Sequence, residues 1–212
     1  MNPSDLITQI EEKKLVPVVK LDRAEDAVPL GRALCDGGLP VAEVTFRTDA
    51  AYESIKAMKK AFPEMTVGAG TVVNVEQAKQ ALDAGSSFIV SPGFSRPVVE
   101  FAADHHILVL PGTCTPTEIM TAMEYDLEVV KFFPARQYGG LETIKALAAP
   151  FPSIRFMPTG GISASNILEY LSFSRIIACG GSWMVKDTLI NEGNFDEIRK
   201  LTAEAVSLLK PQ

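Results

Sequence analysis

The chain has 212 residues, of which 47% are hydrophobic and 22% charged, with a formal net charge of −6. This composition belongs to a folded protein and excludes a disordered one. The acidic balance leaves no sequence-wide basic footprint for nucleic acid, and no apolar run approaches the roughly 18 residues that span a bilayer. Met1-Asn2-Pro3-Ser4-Asp5 lacks the basic and apolar regions of a signal peptide, so a cytoplasmic protein with no membrane partner is expected. Cys35, Cys114 and Cys179 are widely spaced and odd in number, and read as free thiols of a reducing compartment. The only histidines, His105 and His106, are adjacent. On extended chain their side chains point opposite ways, which makes them a poor pair for one metal ion.

Eight short apolar, β-branched runs follow in chain order, at 15–19, 41–46, 66–68, 88–90, 107–110, 129–133, 154–157 and 176–179. Most are apolar throughout, as parallel strands covered on both faces must be. Amphipathic segments at 23–35, 49–61, 75–84, 96–103, 116–123, 141–148 and 164–171 separate them. Asn74 and Thr115 read as helix N-caps, the second followed by Pro116 at the first helical position. A last helix opens at Asn194-Phe195-Asp196-Glu197, a capping-box pattern, with an apolar face of Phe195, Ile198, Leu201, Ala205 and Leu208. The alternation predicts an α/β fold with a parallel sheet. Eight units in 212 residues predict a closed (β/α)8 TIM barrel near the lower size limit of about 200 residues. The whole of 1–212 is expected to be one domain, with a helix added at each terminus. An open doubly wound sheet would more often carry a Gly-rich turn after its first strand, whereas here that strand ends Val19-Lys20-Leu21-Asp22.

In such barrels the chemistry lies at the C-terminal ends of the strands. Lys131 follows Val129-Val130 and precedes Phe132-Phe133, inside an apolar strand. Burial disfavours an ammonium ion, and a neutral amine is what Schiff-base chemistry on a carbonyl requires; the alternative is a strand-edge lysine that reaches water. Glu43, within Val41-Ala42-Glu43-Val44-Thr45-Phe46, is expensive to bury unless paired or functional. It suits a general base beside an imine-forming lysine, or a structural ion pair with Lys131 or Arg47. Arg47 suits bidentate recognition of a carboxylate, or it caps the next helix. Thr71, after Gly68-Ala69-Gly70, offers a hydroxyl to the same carboxylate, or is a plain turn residue. Lys20 adds positive charge at the mouth, or is simply solvated.

Gly160-Gly161 and Gly180-Gly181-Ser182 follow the seventh and eighth runs, where many barrels hold phosphate on backbone N–H groups. Neither segment has a basic residue, and a Cβ at Gly161 or Gly181 is expected to push the phosphate away or to strain a backbone that needs positive φ. Together the two constellations imply a phosphorylated substrate with an electrophilic carbonyl.

The motifs Glu43-Val44-Thr45-Phe46-Arg47-Thr48, Gly68-Ala69-Gly70-Thr71-Val72, Lys131-Phe132-Phe133-Pro134-Ala135, Pro158-Thr159-Gly160-Gly161-Ile162-Ser163 and Gly180-Gly181-Ser182-Trp183 resemble, in order, those of the 2-keto-3-deoxy-6-phosphogluconate and 4-hydroxy-2-oxoglutarate aldolase family. The resemblance runs from about Lys14 onward. It implies a class I aldolase on a (β/α)8 barrel, usually a homotrimer, acting in the Entner–Doudoroff pathway. Such an enzyme cleaves its phosphorylated keto-acid substrate to pyruvate and glyceraldehyde 3-phosphate and needs no metal or organic cofactor. The resemblance also makes Lys131 the Schiff-base lysine and Glu43 the general acid/base. Arg47 and Thr71 match the carboxylate contacts, and Gly160, Gly161, Gly181 and Ser182 the phosphate site. Thr159 matches a position linked to stereochemical choice at C4, and Pro92 and Phe133 match pocket-lining residues. Lys20 departs from the arginine of some members and loses its bidentate fork. Rival readings are an aldolase for the phosphogalactonate-derived epimer, a metal-dependent barrel enzyme and a non-catalytic phosphosugar-binding barrel.

Overall fold

In the computed structural model, which describes residues 2–210, the apolar runs form parallel strands. Met1, Pro211 and Gln212, part of the 1–212 domain expected above, lie outside the described residues. Strands β1 (Leu15–Val19), β2 (Val41–Thr45), β3 (Thr66–Gly70), β4 (Phe88–Val90) and β5 (Leu108–Leu110) pair in sequence order. β6 (Gly112–Thr113), β7 (Val129–Phe132) and β8 (Arg155–Pro158) make a second sheet, and β9 (Cys179–Gly181) returns to pair with β1.

Two junctions join the sheets. Between β5 and β6 stands Pro111, which has no N–H to give to a ladder. The chain nevertheless holds both neighbours across this break, because Gly112 N–H donates to Ser91 O at 3.0 Å and Lys131 N–H donates to Pro111 O at 2.9 Å. On the other side, single bridges Phe156–Ile176 and Thr159–Gly180 tie β8 to the β9 segment. With β5 and β6 taken as one bent stave, the fold is the eight-stave TIM-barrel type.

The strands are lined by side chains removed from water, among them Phe88, Phe132 and Phe156, each at 0% exposure. Burying one such ring is worth roughly 1.5–3 kcal/mol. The helices α1 (Pro3–Lys13), α2 (Ala27–Asp36), α3 (Ala51–Ala61), α4 (Val75–Asp83), α5 (Arg96–Asp104), α6 (Pro116–Met123), α7 (Gly140–Ala148), α8 (Ile167–Leu171), α9 (Asp187–Asn191) and α10 (Phe195–Leu209) return the chain between strands and close its two ends. Asn74 caps α4, and Thr115 with Glu118 forms a complete capping box on α6. Among the described residues no helix is long and apolar enough to cross a membrane.

The structure departs from the sequence reading in several places. The segment expected as a helix from 23 opens instead as a 3-10 turn, Ala24–Asp26, before α2. At Asn194 only half of the expected capping box forms: the Asn194 side chain accepts from Glu197 N–H at 3.3 Å. The short α9 was not anticipated, and its charged opening, Lys186-Asp187, carries no apolar period. The last strand is displaced: it covers Cys179–Gly181, not 176–179. Gly180 and Gly181 therefore sit in the strand, opposite Val16 and Pro17, instead of in a loop after it.

Candidate active site

Glu43 and Lys131 come from opposite parts of the barrel wall. Glu43 lies in β2 opposite Val18 and Gly68, and Lys131 in β7 opposite Gly112 and Met157. Apolar strands carry both side chains inward, where Glu43 is 0% and Lys131 5% exposed. There the Lys131 ammonium donates to Glu43 Oε1 at 3.3 Å. A buried ion pair of this kind is costly to desolvate and is poor evidence of a stabilising role. Glu43 Oε2 is buried with no hydrogen-bond partner among the described residues. Buried polar atoms are nearly always satisfied, so an unpaired carboxylate oxygen beside a buried amine needs a reason, and catalysis supplies one.

The pair is framed by other residues singled out in the sequence. The Phe133 ring lies 5.2 Å from Lys131 Nζ, and the Phe133–Pro134 peptide is cis. Pro92 abuts the same wall: its backbone fills the space a side chain at Gly112 would need, and Gly112 is Lys131's register partner. Thr45, two residues after Glu43 on the same strand face, donates its hydroxyl to Val19 O at 2.8 Å and accepts from Arg47 Nε at 3.0 Å. Arg47 is thus tethered through one nitrogen while the rest of its exposed guanidinium stays open to a ligand. Thr71 follows β3 in the left-handed region, φ 56°, a strained setting for a β-branched residue. No hydrogen bond joins Thr71 to Arg47 among the described residues. Lys20 is drawn to acid: its ammonium lies 2.7 Å from Asp22 and 3.8 Å from Asp187. The hydrogen bond to Asp22 raises its pKa, against the opposing charge of Arg47.

The glycine-rich segments meet on the adjoining arc of the rim. Thr159 bridges to Gly180, and the Thr159 hydroxyl is buried with no hydrogen-bond partner among the described residues. Gly160 and Gly161 have φ of 102° and 75°, so both turns need glycine. Gly181 does not share this feature. It is extended strand, and what a side chain there would meet is the Trp183 ring, with Cε3 2.7 Å from the Cβ position. Ser182 follows it and is exposed.

Sequence reasoning missed two residues. Gly70 leaves the space occupied by the Glu43 carboxylate. Arg136 packs on Gly161, 25 positions away, and no local pattern announces such a contact. Both histidines precede β5, at the opposite end of the barrel from these groups.

Known proteins resemble the chain over nearly its whole length. The family model for KDPG and KHG aldolase matches residues 6–201. The chain is 46% identical to the 2-dehydro-3-deoxy-phosphogluconate aldolase of Treponema pallidum (strain Nichols), over 94% of this chain and 95% of that one. It is 43% identical to the KHG/KDPG aldolase of Escherichia coli (strain K12), over 91% of this chain and 90% of that one. Among solved structures, KDPG aldolase from Legionella pneumophila, with pyruvate captured at low pH as a covalent carbinolamine, superposes with a TM-score of 0.91 at 34% identity, covering 97% of this chain and 98% of that one.

Proposed function

The chain belongs to the KDPG and KHG aldolase family, and from that premise we propose how its own residues perform the reaction. It is an aldolase, a carbon–carbon lyase acting on 2-keto-3-deoxy-6-phosphogluconate and, in the same site, on 4-hydroxy-2-oxoglutarate. The observation that carries the mechanism is the buried amine of Lys131, 3.3 Å from the buried carboxylate of Glu43.

The Lys131 proton passes to Glu43, and the neutral amine adds to the C2 ketone of the substrate. Loss of water from the carbinolamine leaves an iminium ion. Glu43, ionised again, takes the C4 hydroxyl proton, directly or through water. The C3–C4 bond breaks, its electron pair moves into the iminium to give an enamine, and the aldehyde departs. Glu43 returns a proton to C3, and water hydrolyses the resulting imine to release pyruvate and restore the amine. Arg47 and Thr71 hold the substrate carboxylate. Gly160, Gly161, Gly181 and Ser182 hold the phosphate, Thr159 faces C4, and Pro92 and Phe133 wall the pocket. The homotrimer belongs to the same proposal, with the exposed apolar Val73, Met120 and Met123 available for subunit contact, as does a cytoplasmic setting, in keeping with three free thiols.

Borohydride reduction in the presence of pyruvate tests the centre of this reading. The expected product is a single covalent adduct that maps to Lys131 after digestion. Lys131→Arg, which stays protonated and forms no imine, should give neither adduct nor turnover. An adduct on another lysine, or none, removes the mechanism.

A further inference from the structure

The two glycine segments assigned to the phosphate contain no cation, but a third segment brings one to them. Arg136 lies in the loop between β7 and α7, four residues past Phe132. Its backbone N–H donates to Gly160 O at 3.0 Å, one residue after Ala135 N–H donates to Thr159 O at 2.8 Å. The loop is thereby laced to the end of β8 for two successive residues. The Arg136 side chain then runs over Gly161: its Cβ, Cδ and Cγ lie 2.5, 2.9 and 3.2 Å from the point where a Gly161 Cβ would sit. Absence of that Cβ is what lets the aliphatic stem lie flat on the turn. The stem is thus seated on the Gly160–Gly161 turn, and the residue as a whole is exposed, leaving its guanidinium free to reach a ligand there. None of the ion pairs among the described residues includes Arg136.

We propose that Arg136 is a specificity-determining residue of this chain, closing the phosphate site with a cation supplied from the β7–α7 loop. A dianionic phosphate on backbone N–H groups alone receives only partial charges; a guanidinium adds a full charge and a planar pair of donors suited to two phosphate oxygens. The gain falls on the phosphorylated substrate only, since the carboxylate end is handled by other residues. Arg136 therefore sets the preference for a phosphorylated 2-keto acid over 4-hydroxy-2-oxoglutarate. This inference rests on the aldolase reading and deepens it at the same site.

The test compares Arg136→Gln, Arg136→Glu and Arg136→Lys with the wild type. The first measurement is the ratio of kcat/KM for 2-keto-3-deoxy-6-phosphogluconate to that for 4-hydroxy-2-oxoglutarate. The second is the affinity for inorganic phosphate by titration calorimetry. Losing a charge-assisted contact should lower the ratio by about 10- to 100-fold in Arg136→Gln, through KM of the phosphorylated substrate. The fall should be steeper in Arg136→Glu and partly reversed in Arg136→Lys. Phosphate affinity should follow the same order, and the dependence of KM on salt should flatten with the charge. Borohydride trapping of pyruvate reports that each variant is folded. A ratio and a phosphate affinity within twofold of wild type in Arg136→Gln overturn the role of Arg136. Failure of the wild type itself to trap pyruvate overturns the aldolase reading instead, and the phosphate titrations still decide whether Arg136 holds the anion.

Discussion

Gly70 gives up its side chain to Glu43. A Cβ built on Gly70 would collide with Glu43 Oε1 and lie 2.6 Å from Glu43 Cγ and 2.9 Å from Cδ. β3 can pass close beside the carboxylate only as bare backbone. The neighbouring strands are paired along five residues, from Val41–Thr66 to Thr45–Gly70, so β3 cannot retreat without breaking that ladder. Gly70→Ala should therefore push the carboxylate off Lys131. Overpacking of this kind costs about 1–3 kcal/mol of stability, and the loss of a placed acid–base group should lower kcat by about 100-fold or more. Steady-state kinetics beside a denaturation curve check this; wild-type kcat in Gly70→Ala would mean that the carboxylate position is unimportant.

Glu43→Gln separates proton transfer from the mere seating of Lys131. Glutamine has the same shape and still accepts a hydrogen bond from the amine, but it cannot carry a proton between C4, C3 and water. In the variant the amine keeps a hydrogen-bond partner of the same shape and remains beside the incoming ketone. Pyruvate should still be trapped by borohydride, while turnover falls by about 10²–10⁴-fold. Equal rates for Glu43→Gln and wild type would reduce Glu43 to a structural partner.

What could be read in the sequence follows from what burial does to it. Strands covered on both faces must be apolar along their length, so seven of the eight runs mark strands, and a lysine and a glutamate inside two of them stand out. The errors arise where backbone geometry overrides composition. Ile176-Ile177-Ala178 looks like a strand and Gly180-Gly181 like a loop, yet the glycines form the stave. A side chain at Gly180 would lie 3.0 Å from Thr159 Cγ2 and collide with its hydroxyl, so only glycine lets β9 approach β8. β6, Gly112–Thr113, lies beyond the run at 107–110, parted from β5 by Pro111, and two residues without apolar bulk leave no mark in composition. The contacts of Gly70 with Glu43 and of Arg136 with Gly161 span 27 and 25 positions, and no periodicity records them.

Cys179 makes the stability of the barrel sensitive to alkaline pH. Its thiol is fully buried in β9 between apolar neighbours, and that burial pushes its pKa from 9.0 up to about 12. The folded state keeps the proton where the unfolded chain has lost it. The contribution is therefore whole below pH 9 and is lost as pH rises toward about 12, at roughly 1.4 kcal/mol per unit. Urea midpoints measured at pH 8 and pH 10.5 should fall further apart for wild type than for Cys179→Ala. The remaining titrating groups are common to both proteins and cancel in that difference. Equal falls would show that water reaches the thiol.

Gly161 is where the phosphate reading can be separated from a purely structural one. Its φ of 75° is disfavoured for any residue with a Cβ, and the Arg136 stem fills the place where that Cβ would go. Gly161→Val therefore does two things: it strains the turn that presents the backbone N–H groups, and it lifts Arg136 off the rim. Both act on the phosphate end of the substrate. KM for 2-keto-3-deoxy-6-phosphogluconate should rise, and kcat should fall with it to the extent that phosphate binding is used to align the reacting carbons. Pyruvate imine formation should survive, because the proposed carboxylate contacts, Arg47 and Thr71, belong to the segments after β2 and β3. The deciding comparison uses 4-hydroxy-2-oxoglutarate, which has no phosphate to misplace. If Gly161→Val slows its cleavage as much as that of the phosphorylated substrate, the glycine shapes the barrel wall, and the phosphate is held elsewhere.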